Sequence, residues 1–482
     1  MNKEFDAVIT GSGINGISAA IRLQKIGLKT LIVEQSSSPG GSTKTEELTL
    51  KNFLHDVGSA IHPMAYASPY LRTLNLESYG LEWIFPEIAF AHPFPDGSAL
   101  SCYQDLDKTA AQFGEDKQSF KHLFGQLVES WENIENDLLA PLGIPKDPVN
   151  FLKFGFKALP SAKLLSNHYF KNAKSKAFFY GAAAHSCLSM ESIASSSFGL
   201  VLGIMALKFN WPFPKGGAYQ IVNALLSCYG EAGGDIRLNY EVNSMKDLPK
   251  ASTYLFDLTP KQLLKLEGTN FTAMYRRRME NYNYGPGVFK IDWALKGPIP
   301  FLNEDCKKAG TLHIGFSAEE ISESEKLVNN GEISNKPYIL LAQQSRFDPS
   351  RAPDGKHTAW AYCHVPFGNT DDQTMLIEDQ IEKIAPGFKD LILKKSKMSA
   401  KQLQSFNPNI IGGDINGGTQ DITQLFTRPI AKSSPYATSN KYIYICSSST
   451  PPGGGVHGMC GYHAANKVLK DHFKNIKTPR KS

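Results

Sequence analysis

The sequence predicts an α/β protein in which a parallel-sheet domain is interleaved with a mixed-sheet domain bearing a helical cap. Three observations predict it. The N-terminal segment reads as strand, glycine turn, helix and second strand; the C-terminal segment repeats strand, glycine turn and helix; and alternating apolar runs fill the interval between them. Because both ends carry glycine-rich helix starts, the domain they build must be assembled from distant parts of the chain.

The first element is the apolar strand Ala7-Val8-Ile9-Thr10, which runs into Gly11-Ser12-Gly13-Ile14-Asn15-Gly16, a helical stretch to Gly27, and the strand Thr30-Leu31-Ile32-Val33 ending at Glu34. Gly11 permits the tight turn and Gly13 a close backbone approach to a pyrophosphate. Gly16 permits close helix–strand packing, and Ile14 and Asn15 open a helix whose N-terminus favours phosphate. Glu34 is placed to accept hydrogen bonds from an adenosine ribose. Gln35 to Pro39 then lead to Gly40-Gly41-Ser42, a second loop able to approach a phosphate, and this extension resembles FAD-binding flavoproteins of the glutathione reductase type. The expected cofactor is FAD.

Further along, Pro214-Lys215-Gly216-Gly217 opens a helix to about Ala232, Gly233-Gly234 closes it, and Asp235 to Leu238 reads as a strand leading to Val242. Runs at Leu81–Tyr103, Val288–Leu295, Tyr338–Gln344 and His357–Val365 read as strands of a mixed sheet, and residues 115–210 as mostly helical. Near the end, Lys441 to Cys446 forms a strand before the turn Pro451-Pro452-Gly453-Gly454-Gly455-Val456-His457-Gly458 and a helix from Met459 to Phe473. Such a helix start can stabilise the negative charge of a reduced flavin's pyrimidine ring. Gly412 to Gly418 is glycine-rich but lacks the following helix and acid, so no second nucleotide site for NAD(P)H is expected.

These motifs, with His55-Asp56-Val57-Gly58-Ser59, Trp211–Gly217, Tyr284–Trp293 and Asn407-Pro408-Asn409, resemble the phytoene desaturase-like FAD-dependent oxidoreductases over nearly the whole chain. Within that family the resemblance is to the type related to pyridine nucleotide-disulphide oxidoreductase domain-containing protein 2. It implies a Rossmann-like FAD-binding domain from residues 1–75, 208–260 and 410–482. It implies a substrate domain from 76–207 and 261–409. It places Gly58, Ser59, the Val242 backbone, Gly455 and Val456 beside the cofactor. Carotene desaturases usually carry Gly-Gly-Arg where this chain has Gly40-Gly41-Ser42.

Composition bounds the alternatives. The 482 residues, 41% apolar and 20% charged with net charge +5, describe a globular chain too weakly basic to argue for nucleic acid. With a strand beginning within six residues of Met1 no signal peptide is expected, and no run reaches the about 18 apolar residues a membrane span needs. A cytoplasmic location is expected, and nothing sets an oligomeric state. The basic tail from Lys474 to Ser482 reads as disordered. Seven scattered cysteines with no CxxC exclude a dithiol–disulfide reductase, and Cys446 and Cys460 are expected to pack rather than to hold flavin covalently. Dispersed histidines predict no metal, and no Gly-x-Ser-x-Gly elbow supports hydrolysis.

Two stretches carry functional expectations. Residues 148–190 contain no acid between Pro148 and Met190, while Lys153, Lys157, Lys163, Lys171, Lys174 and Lys176 alternate with apolar residues. Such a stretch can lie on an anionic membrane surface and admit a lipophilic substrate, or form a solvated cap. Lys290 lies in the apolar strand Val288–Ile291, which resembles the monoamine oxidase strand that sets a lysine near flavin N5; the alternative is a surface pair with Asp292. His457 could donate to flavin or substrate or cap the last helix, and His185, His364 and Arg346 are ambiguous. The expected activity is hydride removal from, or desaturation of, a small apolar organic substrate. Trp211–Phe213, Phe289–Trp293 and Phe198–Leu207 are expected to line its pocket. An amine oxidase and a flavin-bearing interaction protein without turnover are the alternatives.

Overall fold

A computed structural model of the chain describes residues 3–474. The basic tail beyond Lys474 lies outside the described residues. Two sheets organise the rest. The first has five parallel strands in the order Ile443–Ile445, Ala251–Phe256, Phe5–Thr10, Thr30–Val33 and Asp235–Arg237. Phe5–Thr10 is buried except at Asp6 and Thr30–Val33 throughout, as a parallel sheet covered on both faces requires. The strand order brings three distant parts of the chain into one sheet, a Rossmann-like arrangement.

The second sheet is mixed, with seven strands in the order Ile392–Met398, Gly287–Leu295, His357–Val365, Ile339–Ala342, Ala309–Ile314, Ile88–Pro93 and Ala99–Cys102. The pairing is antiparallel except where Ala309–Ile314 meets Ile88–Pro93. Two of these strands were not anticipated. Ala309–Ile314 contains glycine and histidine, and Ile392–Met398 is an edge strand whose Lys394, Lys395 and Lys397 break apolar alternation, a composition that protects exposed edges. The helical cap comprises Lys117–Leu138, Pro148–Ala158, Ala162–Tyr169, Ala173–Ala183 and Ser196–Phe209. It packs on one face of the mixed sheet through a core containing Phe90, Phe124, Phe178, Leu200 and Trp211. Among the described residues no helix is long and apolar enough to cross a membrane.

Candidate active site

The N-terminal turn is built as a cradle. Gly11 has φ +96°, a left-handed conformation only glycine adopts cheaply, and a Cβ there would press on Asp257 at 3.1 Å. A Cβ on Gly13 would collide with Asp257 Oδ2, and one on Gly16 with the Gly11 carbonyl oxygen. The close approach that Gly13 permits is therefore to a protein carboxyl from the end of the neighbouring strand, a group the sequence did not flag. Asp257 accepts from Gly16 N at 3.0 Å, and burial pushes its carboxyl up to about 7.

The second glycine pair folds onto the first. Gly40 N donates to the Ser12 carbonyl at 3.0 Å, and Gly41, with φ +59°, packs against Gly13. Glu34 Oε2 accepts from Ser12 N at 2.8 Å and Ser12 Oγ at 2.7 Å, while Oε1 accepts from Ser36 N at 2.9 Å. Tyr240 N donates to the Glu34 carbonyl at 2.8 Å, so the segment leading to half-buried Val242 runs beside the acid. Ser42 and Gly58 touch so closely that a Cβ on Gly58 would strike the Ser42 carbonyl, and Ser59 Oγ lies 3.0 Å from His62 Nε2. Gln35 is exposed.

The two glycine-rich helix starts meet. The last helix, Met459–His472, packs on the first, Ile14–Gln24; a Cβ on Gly461 would overlap the Asn15 carbonyl and one on Gly458 the Ser18 hydroxyl. His457 is buried, and its Nδ1 accepts from Met459 N at 3.0 Å, capping this helix. Burial lowers its pKa to about 4, so the ring is neutral. It shapes the Gly453–Gly455 turn, and Ser68 Oγ grips its carbonyl at 2.7 Å. Cys446 and Cys460, like the other five cysteines, are free and buried.

These residues fit a dinucleotide. Gly13 caps the first helix without any side-chain bond, no acid occupies its first turn, and the buried Asn15 Oδ1 beside it has no partner. Gly11 to Gly16 would hold the pyrophosphate, Glu34 the ribose, and Gly453 to His457 the far end of the cofactor. Bound there, FAD supplies a two-electron hydride acceptor.

Lys290 lies on the capped face of the mixed sheet, which alternation assigns to Val288, Lys290, Asp292, Leu340, Trp360, Tyr362 and His364. Lys290 does pair with Asp292, but the pair is buried. Burial raises Asp292 to about 6 against the pull of Lys290. His55 Nδ1 lies 3.6 Å from Asp292, and burial, with the Lys290 and Arg351 charges, lowers His55 to about 3. Next to it Asp56 pairs with buried Arg351 and accepts from Ala218 N and Thr45 Oγ1, each at 2.8 Å. Gly217 must be glycine because a Cβ would strike Thr45 and Arg351. This cluster fastens the Trp211–Gly217 motif and the second sheet to the flavin domain.

The segment Phe289–Trp293, expected from the sequence to line the substrate pocket, contributes only Lys290 and Asp292 to the capped face. Phe289, Ile291 and Trp293 do not share the Lys290 face; the period of two turns them to the opposite side, where they pack with Ile377, Ile381 and Phe388. Trp293 Nε1 there donates to Glu378 at 2.9 Å. The aromatic wall on the Lys290 side comes instead from Phe90, Phe178 and Trp211, with ring centroids 5.0 and 4.8 Å from Phe90, and from Trp360 and Tyr362. His185 Nε2 meets His313 Nε2 at 3.0 Å beside Trp211, a bonded core pair that burial keeps neutral. Arg346 donates to the Lys307 carbonyl at 2.8 Å, away from this face.

A glycine-cradled dinucleotide site together with a buried lysine on the capped face of the second sheet is consistent with a flavin-dependent oxidoreductase. The family model for flavin containing amine oxidoreductase matches residues 14–262, just over half of the chain, and the protein belongs to that family. It is an FAD-dependent oxidoreductase. Pyridine nucleotide-disulfide oxidoreductase domain-containing protein 2 of Rattus norvegicus is 24% identical, covering 99% of this chain and 95% of its own. A limonene dehydrogenase polypeptide of Castellaniella defragrans is 22% identical, with 98% and 96% covered. A neurosporene-forming phytoene desaturase of Rhodobacter capsulatus is 21% identical, with 94% and 92% covered. Among solved structures, an oxidoreductase from Methanosarcina mazei superposes with a TM-score of 0.64 at 15% identity, over 96% of this chain and all of its own. Putrescine oxidase bound to putrescine gives 0.62 at 16%, over 97% and 99%.

Proposed function

We propose that this flavoenzyme dehydrogenates an apolar, isoprenoid-like substrate laid across the Lys290 face of the mixed sheet. One observation carries the reading: the face is walled by buried Phe90, Phe178, Trp211, Trp360 and Tyr362, while its two carboxylates, Asp292 and Glu325, are already paired with Lys290 and His364. Neither carboxylate is spare to receive an ammonium group. An apolar chain needs no such partner. The likeness to limonene dehydrogenase and phytoene desaturases is consistent with this, and the likeness to putrescine oxidase concerns the fold.

The substrate would come from an anionic lipid surface. Ile144 is 96%, Phe156 77%, Leu164 67% and Val149 62% exposed, and Leu142, Leu152 and Leu159 extend the same cap surface. Such a patch is unusual on a free surface. Exposed Lys153 lies within it and no acid occurs between Pro148 and Met190, so its charge suits acidic headgroups. Lys163 and Lys174 pair instead with Glu191 and Asp96.

Organic extraction of the purified holoprotein, followed by mass spectrometry, tests the substrate class. A co-purified terpenoid or other apolar lipid is expected, and a recovered amine would overturn the reading. Flotation with phosphatidylglycerol vesicles tests the surface. Salt-sensitive co-flotation, lost in Phe156→Asp, is expected, and equal flotation of both proteins would refute it.

A further inference from the structure

Three helices of the cap, Lys117–Leu138, Pro148–Ala158 and Ala162–Tyr169, enclose a surface groove of about 490 Å³. Each sends two residues four apart into it: His122 and Gln126 from the first, Lys153 and Lys157 from the second, Leu164 and His168 from the third. That spacing sets both side chains on one face of a helix. Phe156, Leu165 and Tyr169 add apolar surface between them.

The groove is cationic and carries no counter-charge of its own. No Asp or Glu lines it, and among the described residues neither Lys153 nor Lys157 forms an ion pair. Lys157 is half-buried, and its Nζ donates to the His122 and Leu123 carbonyls at 3.3 and 3.2 Å while lying 5.9 Å from the centre of the Tyr169 ring. Two of its three protons are therefore placed, and the third has no protein acceptor among the described residues. Burial, and then the like charge of Lys153 one turn away, lower its pKa. Both costs fall when an anion sits beside the two ammonium groups.

The apolar half of the groove is equally well built. Phe156 and Leu164 line it while remaining exposed, buried Leu165 backs it, and Leu152 and Leu159 belong to the same exposed cap surface. The connection between the second and third helices is fixed by Ser196, whose Oγ lies 2.9, 2.9 and 2.7 Å from the carbonyls of Lys157, Ala158 and Pro160. Ala194 N donates to the Leu159 carbonyl at 2.8 Å, and Ser161 Oγ caps the third helix by accepting from Leu164 N at 3.2 Å. These bonds shape the groove before any ligand arrives, which lowers the ordering cost of binding.

We propose that this groove binds one anionic phospholipid, its phosphate against Lys153 and Lys157 and an acyl chain against Phe156 and Leu164. The assignment deepens the lipid-surface reading above and rests on it. A free phosphate would leave the apolar wall uncovered, and an uncharged lipid would leave two ammonium groups without a counter-charge; an anionic phospholipid satisfies both. His122 and His168 stand at the same groove, with ring centroids 6.1 and 5.0 Å from that of Tyr169, and add N–H donors for the headgroup. Such a site saturates at one lipid per chain, unlike a diffuse charged patch.

Calorimetric titration of the FAD-loaded protein with dihexanoylphosphatidylglycerol, kept below its micelle concentration, tests the site without a membrane. One lipid per chain is expected. Dihexanoylphosphatidylcholine, which has the same chains and no net charge, should bind at least about tenfold more weakly, as should glycerol phosphate, which has no chains. Lys153→Gln and Lys157→Gln should each weaken phosphatidylglycerol binding at least about tenfold while the flavin spectrum is retained. Lys153 is exposed, so its replacement leaves the packing of the cap intact. Equal binding of the two lipids, glycerol phosphate bound as tightly as the lipid, or unchanged binding in Lys153→Gln would overturn the site. Vesicle flotation without saturable binding of the soluble lipid overturns the groove and leaves the surface contact. Saturable binding without flotation supports the groove and overturns the membrane as the source of substrate.

Discussion

Replacing Asp257 by Asn tests the structure at the heart of the nucleotide cradle. Asp257 is pressed between Gly11, Gly13 and Gly16, and burial lifts its carboxyl from 3.8 to about 7. The folded state therefore holds a proton that the unfolded chain releases between pH 4 and 7, and stability falls as pH rises through that window. A difference of about three pH units at about 1.36 kcal/mol each is roughly 4 kcal/mol. Asn at 257 keeps an acceptor for Gly16 N and never ionises. Urea unfolding of the apoprotein, wild type against Asp257→Asn, should show comparable stability near pH 4 and a variant more stable by a few kcal/mol at pH 8. A difference that does not change with pH would refute the buried-carboxyl reasoning.

Further outcomes follow from the same geometry. Gly13→Ala drives a Cβ into Asp257 Oδ2 and should purify with little FAD, read from the flavin absorbance per protein. Lys290→Met strands the buried Asp292 carboxylate and should cost about 3–5 kcal/mol in unfolding free energy at pH 8. The loss should shrink toward pH 5, because Asp292, already raised to about 6, then takes up a proton. Arg351→Met should lower the thermal midpoint, since it leaves Asp56 buried without its cation at the junction between the domains, and Asp56→Asn in the same chain should restore part of it.

The parts of the fold that were legible in the sequence are those whose signal is local. Gly11 to Glu34 carries strand, turn, helix and acid within one contiguous stretch, and the Ile443–His472 end repeats the logic. The pieces that stayed hidden depend on partners far along the chain. Arg351 and Asp56 are 295 residues apart and Cys187 and His364 177 apart, so neither spacing nor periodicity links them. Glu325 sits in a polar helical run with Glu319, Glu320 and Glu323 and is distinguished only by the histidine it meets. Asp257 ends a strand as ordinary turn chemistry would. Lys290 stands out because a charge in an apolar strand demands a partner, yet placing Phe289 and Trp293 in its pocket conflicts with the strand's own alternation.

FAD on this cradle is proposed to oxidise an apolar substrate on the Lys290 face. Anaerobic stopped-flow mixing of the holoprotein with limonene, geranylgeraniol and phytoene, each against putrescine, measures it directly through the flavin absorbance. At least one of the isoprenoids should bleach the flavin and putrescine should not; bleaching by putrescine alone would rule out the apolar-substrate reading.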